Sequence, residues 1–460
     1  MTEFNRPFQP KEHSVDKEVA LAIERFRVFW HGHGYQPWRK LGFEGDKQDI
    51  FDISENWNKK VTDECYRRLV EPIVQDFDGQ HQYPPLIESP FFSFHLFGSI
   101  RSFIKEYCGN DWDKIKEAVR KQPIPILDPI CHPILPLLPA EIQEILIEAG
   151  IHAWENDYDI KLRNKRGKFK KPVGFWLPEM AVNQITLNVL AKKGIHFVFL
   201  RREQIEAGEE ASIYEIETDT QPIYAFVTDT EISNAISGGT QTKDAEDFYR
   251  RHQSLIDNRS RPPMLANDLE TIDHHHPMMR FFFNYLFRNI FGGDNNPDNR
   301  FTRGTAMIKR GKVIDNTSWT CPHGLGRWTG ENGCQCHAGG GIDDHTIKDR
   351  KDHYMLLRSY LDNVVNRLHV AAGERNWQMP FTRWLVEQHK NLSCGWRISL
   401  ASVDASFQSL FKELLINIAG LQSCGWYFGK ESNLERDIPQ GCLQALRLKT
   451  TPTGPIEGGS

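Results

Sequence analysis

The stretch VGFWLPEMAV, residues 173–182, changes its character at a single acidic residue. The apolar run GFWL predicts a buried strand, and the residues from Met180 to Lys193 follow a helical pattern. Glu179 lies between them, directly after Pro178, where the strand turns into the helix. A single acid in such a place is most often a helix cap or one half of a salt bridge. Its role therefore depends on what the neighbouring strands carry at their ends.

The same alternation of strand and helix continues on both sides of this stretch. Residues 15–28, 139–154 and 277–290 predict helices, and the middle one has a proline in its first turn, where a missing N–H costs least. Strands are predicted for RVFW (27–30), IHFVFL (195–200), IYAFVTD (223–229) and PMLAND (263–268). Strands that alternate with helices favour a parallel sheet or a barrel over roughly residues 20–300.

The pattern is different in the last third of the chain. A segment rich in Cys, Gly and His has no periodicity, and helical patterns follow it at 354–372, 380–390 and 406–421. We therefore divide the sequence into an α/β catalytic barrel (1–310), a connecting segment (311–350), a helical C-terminal domain (351–450) and a tail (451–460).

Composition excludes several classes of function. The chain has 460 residues and a net charge of −5, without a basic tail or a lysine run, so no nucleic-acid partner is expected. It has no run of 18 apolar residues and no apolar stretch near the N-terminus, which predicts no membrane span and a cytoplasmic protein. Its nine cysteines are scattered without the spacing of a disulfide framework.

Polar residues gather at the ends of the predicted strands. HGHGYQP (31–37) follows the first strand, Asp229 and Glu231 follow another, and DLETIDHHHP (268–277) follows the last. In a parallel barrel all strands deliver their C-terminal ends to one face, so these clusters should converge with Glu179 on one mouth. Two carboxylates on different strands, Glu179 and Asp268, suit glycoside hydrolysis when their environments keep one ionised and the other protonated.

Five of these stretches resemble, in order and spacing, the sequence regions of glycoside hydrolase family 57: HGHGYQP, CHPILPLL (131–138), GFWLPEMAV, DTEISNAIS (229–237) and DLETIDHHHP. SWTCPHGLGRWTGENGCQC (318–336) and SCGWYF (423–428) resemble the subset of that family with an additional C-terminal domain of unknown function. The resemblance implies an incomplete (β/α)7 barrel followed by a mainly helical domain. It also implies a retaining enzyme of the amylase, 4-α-glucanotransferase or branching type.

The resemblance also assigns roles to residues of this chain. It makes Glu179 the nucleophile and Asp268 the acid/base, and it requires no cofactor. The expected partner is an oligo- or polysaccharide; the oligomeric state and the balance of hydrolysis and transfer stay open. The residues expected to bind the sugar are His33, His132, Trp176, Asp229, Glu270, His274 and His275.

The connecting segment contains a set of soft metal ligands, Cys321, His323, Cys334 and Cys336. Three thiols and an imidazole are a plausible structural zinc set, although this spacing matches no standard zinc knuckle. The alternative is a glycine-rich loop whose cysteines are free or transiently paired.

Two other functions stay open at this point. HGH and HHH are compatible with a metal-dependent carbohydrate deacetylase on a similar barrel, which would leave Glu179 without a central role. Leu269 and Asp273 depart from the family's usual residues, and they are compatible with a non-catalytic glycan-binding or regulatory scaffold.

Overall fold

The computed structural model describes residues 16–26, 28–53, 57–74, 82–208, 210–258, 263–292, 308–336, 344–426 and 433–448. The expected tail at 451–460 lies outside these ranges, as does the start of the helix expected at residue 15.

Seven short parallel strands form the wall of a barrel, in two ladders. β1 pairs with β2 on one side and β7 on the other, and β3 to β6 pair in chain order. In the described residues no ladder joins β2 to β3 or β6 to β7, so the barrel is incomplete, as expected. The strands are β1 (Trp30–Gly34), β2 (Phe92–Leu96), β3 (Ile126–Leu127), β4 (Gly174–Phe175), β5 (Phe197–Arg201), β6 (Ile223–Thr228) and β7 (Leu265–Asp268).

The register of β1 places chemistry-bearing residues side by side. His33 lies opposite Asp268 on β7 and opposite His95 on β2. Since side chains alternate along a strand, His31 and His33 share one face of β1, while Gly32 lies on the other. The His31 ring stacks on Phe199 of β5, which is no neighbour of β1, with ring centroids 4.7 Å apart. The histidine face of β1 therefore points into the barrel.

Apolar side chains close the barrel below this histidine layer. Phe26 follows the helix Lys17–Arg25, and its ring lies 4.7 Å from that of Phe226 and 6.2 Å from that of Phe199. Phe26 is buried together with Val19 and Ile23, the inner face of that amphipathic helix. The interior at this end is a packed core, so the site must lie at the other end.

Helices follow the strands and cover the barrel. Met180 to Asn183 lie outside the helix that was predicted to begin at residue 180, because residues 178–180 form a separate turn around Glu179. No helix within the described ranges is both long and apolar enough to cross a membrane. Besides Lys17–Arg25, the helices longer than five residues in the described residues of this part are Gly98–Tyr107, Gly109–Lys121, Ala140–Tyr158, Gln184–Lys192, Thr230–Ser237, Ala245–Ile256 and Met279–Tyr285.

Extra strands extend the wall beyond the seven. The strand Ile213–Ile216 runs antiparallel to β6. On its other side it pairs in parallel with Ile308–Val313, which in turn pairs antiparallel with Ile205–Glu206. The boundary expected at residue 310 falls inside Ile308–Val313. Two small hairpins complete the strands: Lys40–Leu41 with Phe51–Asp52, and Ile73–Val74 with Gln82–Tyr83.

The C-terminal part is helical, as expected. Its helices are Asp344–Ala372, Gln378–Cys394, Gln408–Gly420 and Asn433–Ala445, so the first begins before the expected boundary at residue 351. A buried ionic cluster joins this part to the barrel. Arg101 binds Asp128 at 2.6 Å and Asp157 at 2.8 Å, and Asp157 also contacts Nε2 of His389 at 3.0 Å. Because a buried charge must be paired, this contact fixes the two parts against each other.

Candidate active site

Glu179 is presented by a strained turn at the end of β4. Its φ is +56° and that of Met180 is +45°, a left-handed backbone that costs a non-glycine residue roughly 1–3 kcal/mol. The backbone oxygen of Glu179 accepts a hydrogen bond from the Trp319 N–H at 3.0 Å, which helps to hold the turn. The turn directs the carboxylate into the barrel mouth instead of along a helix.

Three donors from distant parts of the sequence hold the Glu179 carboxylate. One oxygen accepts from Trp319 Nε1 and from Thr320 Oγ1, each at 3.2 Å, and the other accepts from Ser423 Oγ at 3.1 Å. Burial raises the pKa of Glu179, while these hydrogen bonds and the charge of Arg327 oppose the rise. The donors therefore stabilise the ionised form of a carboxyl group that would otherwise be protonated easily.

Asp268, the last residue of β7, has a different environment. Its side chain is open to the cavity and has no hydrogen-bond partner among the described residues. The pKa of Asp268 is raised well above its usual value, mainly because the protein walls of the cavity desolvate the carboxylate. The negative charges of Glu270 and Glu179 raise it further. Glu270 is buried and accepts from the backbone N–H of Tyr35 at 3.0 Å and from the Tyr66 hydroxyl. Asp268 is therefore the carboxyl group most easily kept protonated.

Four buried histidines form a hydrogen-bonded chain that ends at Glu179. His31 Nδ1 contacts Ser93 Oγ at 2.7 Å, and its Nε2 contacts His95 Nδ1 at 3.0 Å. His33 follows, with Nδ1 2.9 Å from His95 Nε2 and Nε2 3.2 Å from Nε2 of His132. His132 Nδ1 then contacts the same Ser423 hydroxyl at 2.7 Å.

The hydrogen bonds that link the four histidines can point in only one direction, because each imidazole is neutral. Burial lowers the pKa of His31 and His132 to about 3, and the pKa values of His33 and His95 are also lowered by burial and by their neighbours. A neutral imidazole donates one hydrogen bond and accepts one. Since Ser423 donates to the carboxylate, it must accept from His132, and each earlier member must then donate toward the next. Every hydrogen bond from Ser93 onward points toward Glu179.

The carboxyl groups of Glu179 and Asp268 line one cavity of about 480 Å³ at the barrel mouth. It contains seven of the nine residues that the sequence proposed for the site: Glu179, Asp268, His33, His132, Glu270, His274 and His275. His274 Nδ1 contacts Glu64 at 2.5 Å, and burial with the neighbouring histidines lowers the pKa of His275 to about 4.

Two expected sugar-binding residues do not reach this cavity. Trp176 is fully buried, and its ring stacks on His33 with centroids 4.6 Å apart, so it has no face to offer a sugar. Asp229 caps the helix Thr230–Ser237 by accepting from the Ile232 N–H at 2.9 Å, and it lines a separate pocket of about 210 Å³. We therefore correct both assignments: Trp176 belongs to the barrel interior, and Asp229 is a helix cap.

The two departures from the family pattern lie outside the cavity. Leu269 is buried against β1, where a Cβ on Gly32 would lie only 2.4 Å from its side chain. Asp273 has a φ of +62°, which Asp tolerates better than most residues, and its carboxylate pairs with Arg280 at 2.9 Å. Neither side chain lines the cavity that holds Glu179.

Sequence reasoning missed several residues that contact the site. Trp319 and Thr320 were seen only as part of a cysteine-rich segment, although both line the cavity. Ser423 lay in a motif that was noted without a role, and His95 lay in the run FFSFHLF (91–97), which was not assigned to a strand. The signal for His95 was its position near the end of a buried apolar run, the same signal that identified His33.

Solved structures with a similar fold cover nearly all of this chain. An exo-type maltose-forming amylase from Pyrococcus sp. ST04 matches with a TM-score of 0.59 and 14% identity, over 91% of this chain and 78% of that one. A branching enzyme from Thermococcus kodakaraensis matches at 0.50 and 12%, over 90% and 94%. The α-amylase AmyC from Thermotoga maritima matches at 0.50 and 12%, over 91% and 97%.

No curated protein sequence matches the chain significantly. The model of glycosyl hydrolase family 57, in contrast, matches residues 28–291, which include every barrel strand, both carboxylates and all four histidines of the chain that ends at Glu179. This match spans more than half of the sequence, and the protein therefore belongs to glycosyl hydrolase family 57.

Proposed function

We propose that this protein is a retaining glycoside hydrolase or glycosyl-transferring enzyme that acts on α-linked glucans. The observation that carries the proposal is the pair of unlike carboxyl groups in one cavity. Three donors stabilise ionised Glu179, whereas Asp268 has its pKa raised further and keeps its proton more readily. The similar structures, two named as amylases and one as a branching enzyme, support an α-glucan as the substrate class.

The two carboxyl groups supply the two steps of a double displacement. In the first step, a Glu179 oxygen attacks the anomeric carbon while Asp268 transfers its proton to the leaving glycosidic oxygen, which forms a covalent glycosyl-enzyme. In the second step, Asp268 removes a proton from water or from a sugar hydroxyl, which attacks the same carbon and releases Glu179. Water gives hydrolysis and a sugar hydroxyl gives transfer.

The side-chain geometry does not favour the metal-dependent alternative. His31 bonds to Ser93 and His95, and His33 bonds to His95 and His132. His274 contacts Glu64, and His276 contacts the Ser237 carbonyl at 2.6 Å. These rings do not converge on one point with a carboxylate, as the ligands of a hydrolytic metal must.

Incubation with maltoheptaose and with glycogen tests the proposal directly. We expect shorter oligosaccharides by chromatography, longer ones as well if a sugar hydroxyl is the acceptor, and newly formed reducing ends that are initially α by proton NMR. An initial β anomer would show inversion and contradict the mechanism. Binding of maltoheptaose without any product would instead support the non-catalytic scaffold.

Replacing Ser423 with alanine tests the group that joins the histidine chain to Glu179. The variant loses a donor to a charged acceptor, a bond worth about 1.5–3 kcal/mol, so we expect kcat to fall by about 10- to 100-fold. The hydrogen bond from Ser423 lowers the pKa of Glu179. Without it that pKa rises, and the acid limb of the pH–kcat/KM profile should move to higher pH.

Ser423→Thr retains the hydroxyl and is the matched control for this experiment. We expect it to restore most of kcat and to return the acid limb to its original position. A lower kcat in Ser423→Ala with an unmoved acid limb would mean that Ser423 only supports the local fold.

A further inference from the structure

Three thiols and one imidazole meet beside the active site. Cys321 Sγ lies 3.5 Å from Cys334 Sγ, and Cys336 Sγ lies 3.3 Å from His323 Nδ1. The four atoms all lie within 4.8 Å of one another, and they form the one His/Cys/Asp/Glu group of the described residues with this arrangement. We call them the Cys3His cluster. Cys321 and Cys334 are buried, whereas His323 is exposed at the surface.

We propose that the Cys3His cluster binds one structural zinc ion. In tetrahedral zinc sites the Zn–S distance is about 2.3 Å and the Zn–N distance about 2.0–2.1 Å, which places neighbouring ligand atoms roughly 3.5–4 Å apart. The Cys321–Cys334 contact of 3.5 Å is at the short end of that range, and the Cys336–His323 contact of 3.3 Å is slightly below it. No two of the four atoms are more than 4.8 Å apart, so the largest spacing needs to close by less than about an ångström. Four protein ligands also fill a tetrahedral shell, so such a site is structural and has no open position for substrate.

The loop around the cluster has the features of a ligand cradle. The backbone N–H of Cys336 points at Cys334 Sγ at a distance of 3.4 Å, the kind of contact that stabilises a thiolate ligand. Gly326 lies so close to this turn that a Cβ would be 2.6 Å from both Cys334 Cβ and the Glu331 carbonyl oxygen. The backbone therefore folds tightly around the sulfur atoms, although the segment has only short helical turns of its own.

The position of the cluster in the chain connects it to catalysis. Trp319 and Thr320, which donate to Glu179, directly precede Cys321. Arg327, between the ligand pairs, donates to the Thr320 carbonyl oxygen at 2.6 Å. A zinc ion at Cys321 would thus fix the loop that carries two of the three donors to Glu179. The metal site itself is independent of the proposed function, and only this consequence for activity rests on it.

Metal content tests the site without any assay of turnover. We expect the full-length chain, reduced, saturated with zinc chloride and then desalted, to retain about one zinc per chain by elemental analysis. In the double variant Cys334→Ser/Cys336→Ser zinc should fall at least tenfold, and Cys394→Ser, at a half-buried thiol outside the cluster, should keep it. Less than 0.1 zinc in the unaltered chain, or equal loss in Cys394→Ser, would overturn the proposal.

Four further measurements keep the result interpretable. His323→Ala changes an exposed side chain, so the variant should fold, and we expect at least tenfold weaker zinc affinity in competition with a chelating dye. Cobalt should give the absorption of a tetrahedral thiolate site in the unaltered chain and not in the double variant. A Cys321–Cys334 disulfide in the freshly isolated chain, detected by mass spectrometry, would contradict the site. Glu179→Gln should bind zinc normally, which separates this proposal from the proposed function.

Discussion

Replacing Glu179 with glutamine should reduce turnover of maltoheptaose by at least about a thousandfold while maltoheptaose binding survives. The amide is a poor nucleophile, so the glycosyl-enzyme does not form, but it has nearly the same shape and its oxygen can still accept hydrogen bonds. Trp319 and Thr320 can still donate to the amide oxygen, while the amide nitrogen, which donates only, takes the place of the oxygen that faces Ser423. Steady-state kinetics and isothermal titration calorimetry measure the two effects separately.

Chemical rescue distinguishes a missing nucleophile from a damaged site. Glu179→Ala with azide and an aryl α-maltoside should release the phenol and form a β-glycosyl azide, because azide attacks from the side that the carboxylate has vacated. An α-glycosyl azide, or a Glu179→Gln variant that keeps more than about a tenth of the original kcat, would show that Glu179 is not the nucleophile.

Replacing Asp268 with asparagine should lower kcat for maltoheptaose by about 10²- to 10⁴-fold, the usual contribution of a general acid/base. An aryl maltoside with a good leaving group needs little protonation, so its first step should be affected much less. The pKa of Asp268 is raised well above its usual value, and activity should be lost as the pH rises through that raised pKa and the acid loses its proton. This basic limb should be absent from the profile of Asp268→Asn.

Asp229→Asn is the matched control for that experiment. Asp229 also lies at the C-terminal end of a barrel strand, but in a separate pocket, and asparagine caps a helix about as well as aspartate. We expect its kcat to stay within a few-fold of the original. If Asp229→Asn were as damaging as Asp268→Asn, or if the basic limb survived in Asp268→Asn, the acid/base assignment would be wrong.

The placement of the two carboxylates at one mouth was predictable because it depends on local pattern and on parallel topology. Glu179 and Asp268 each follow an apolar run, and parallel strands bring such positions to one edge whatever the details of packing. The side of the strand to which each side chain points was less predictable. β4 has only two residues by its hydrogen bonds, so alternation gave no guide to whether Trp176 points into the interior or into the cavity.

The donors to Glu179 could not be derived from the sequence by such rules. Trp319 and Thr320 lie in a segment without helical or strand periodicity, and they are 140 and 141 positions away from Glu179. Their contact with Glu179 results from tertiary packing of that segment over the mouth. β2 and β3 were missed for other reasons: one is buried on both faces and so does not alternate, and the other is a two-residue strand in a proline-rich stretch.

The late position of Ser423 has a consequence for synthesis of the protein. Ser423 follows Glu179 by 244 residues, and it is tied to His132 by its backbone N–H as well as by its hydroxyl. A nascent chain emerges from the ribosome N-terminal part first, so the barrel strands can assemble before Ser423 exists. Until then the Glu179 carboxylate lacks one of its three hydrogen-bond donors, and the His132 ring N–H lacks its hydrogen-bond acceptor. A growing polypeptide should therefore have no full activity on an α-glucan before translation has passed Ser423.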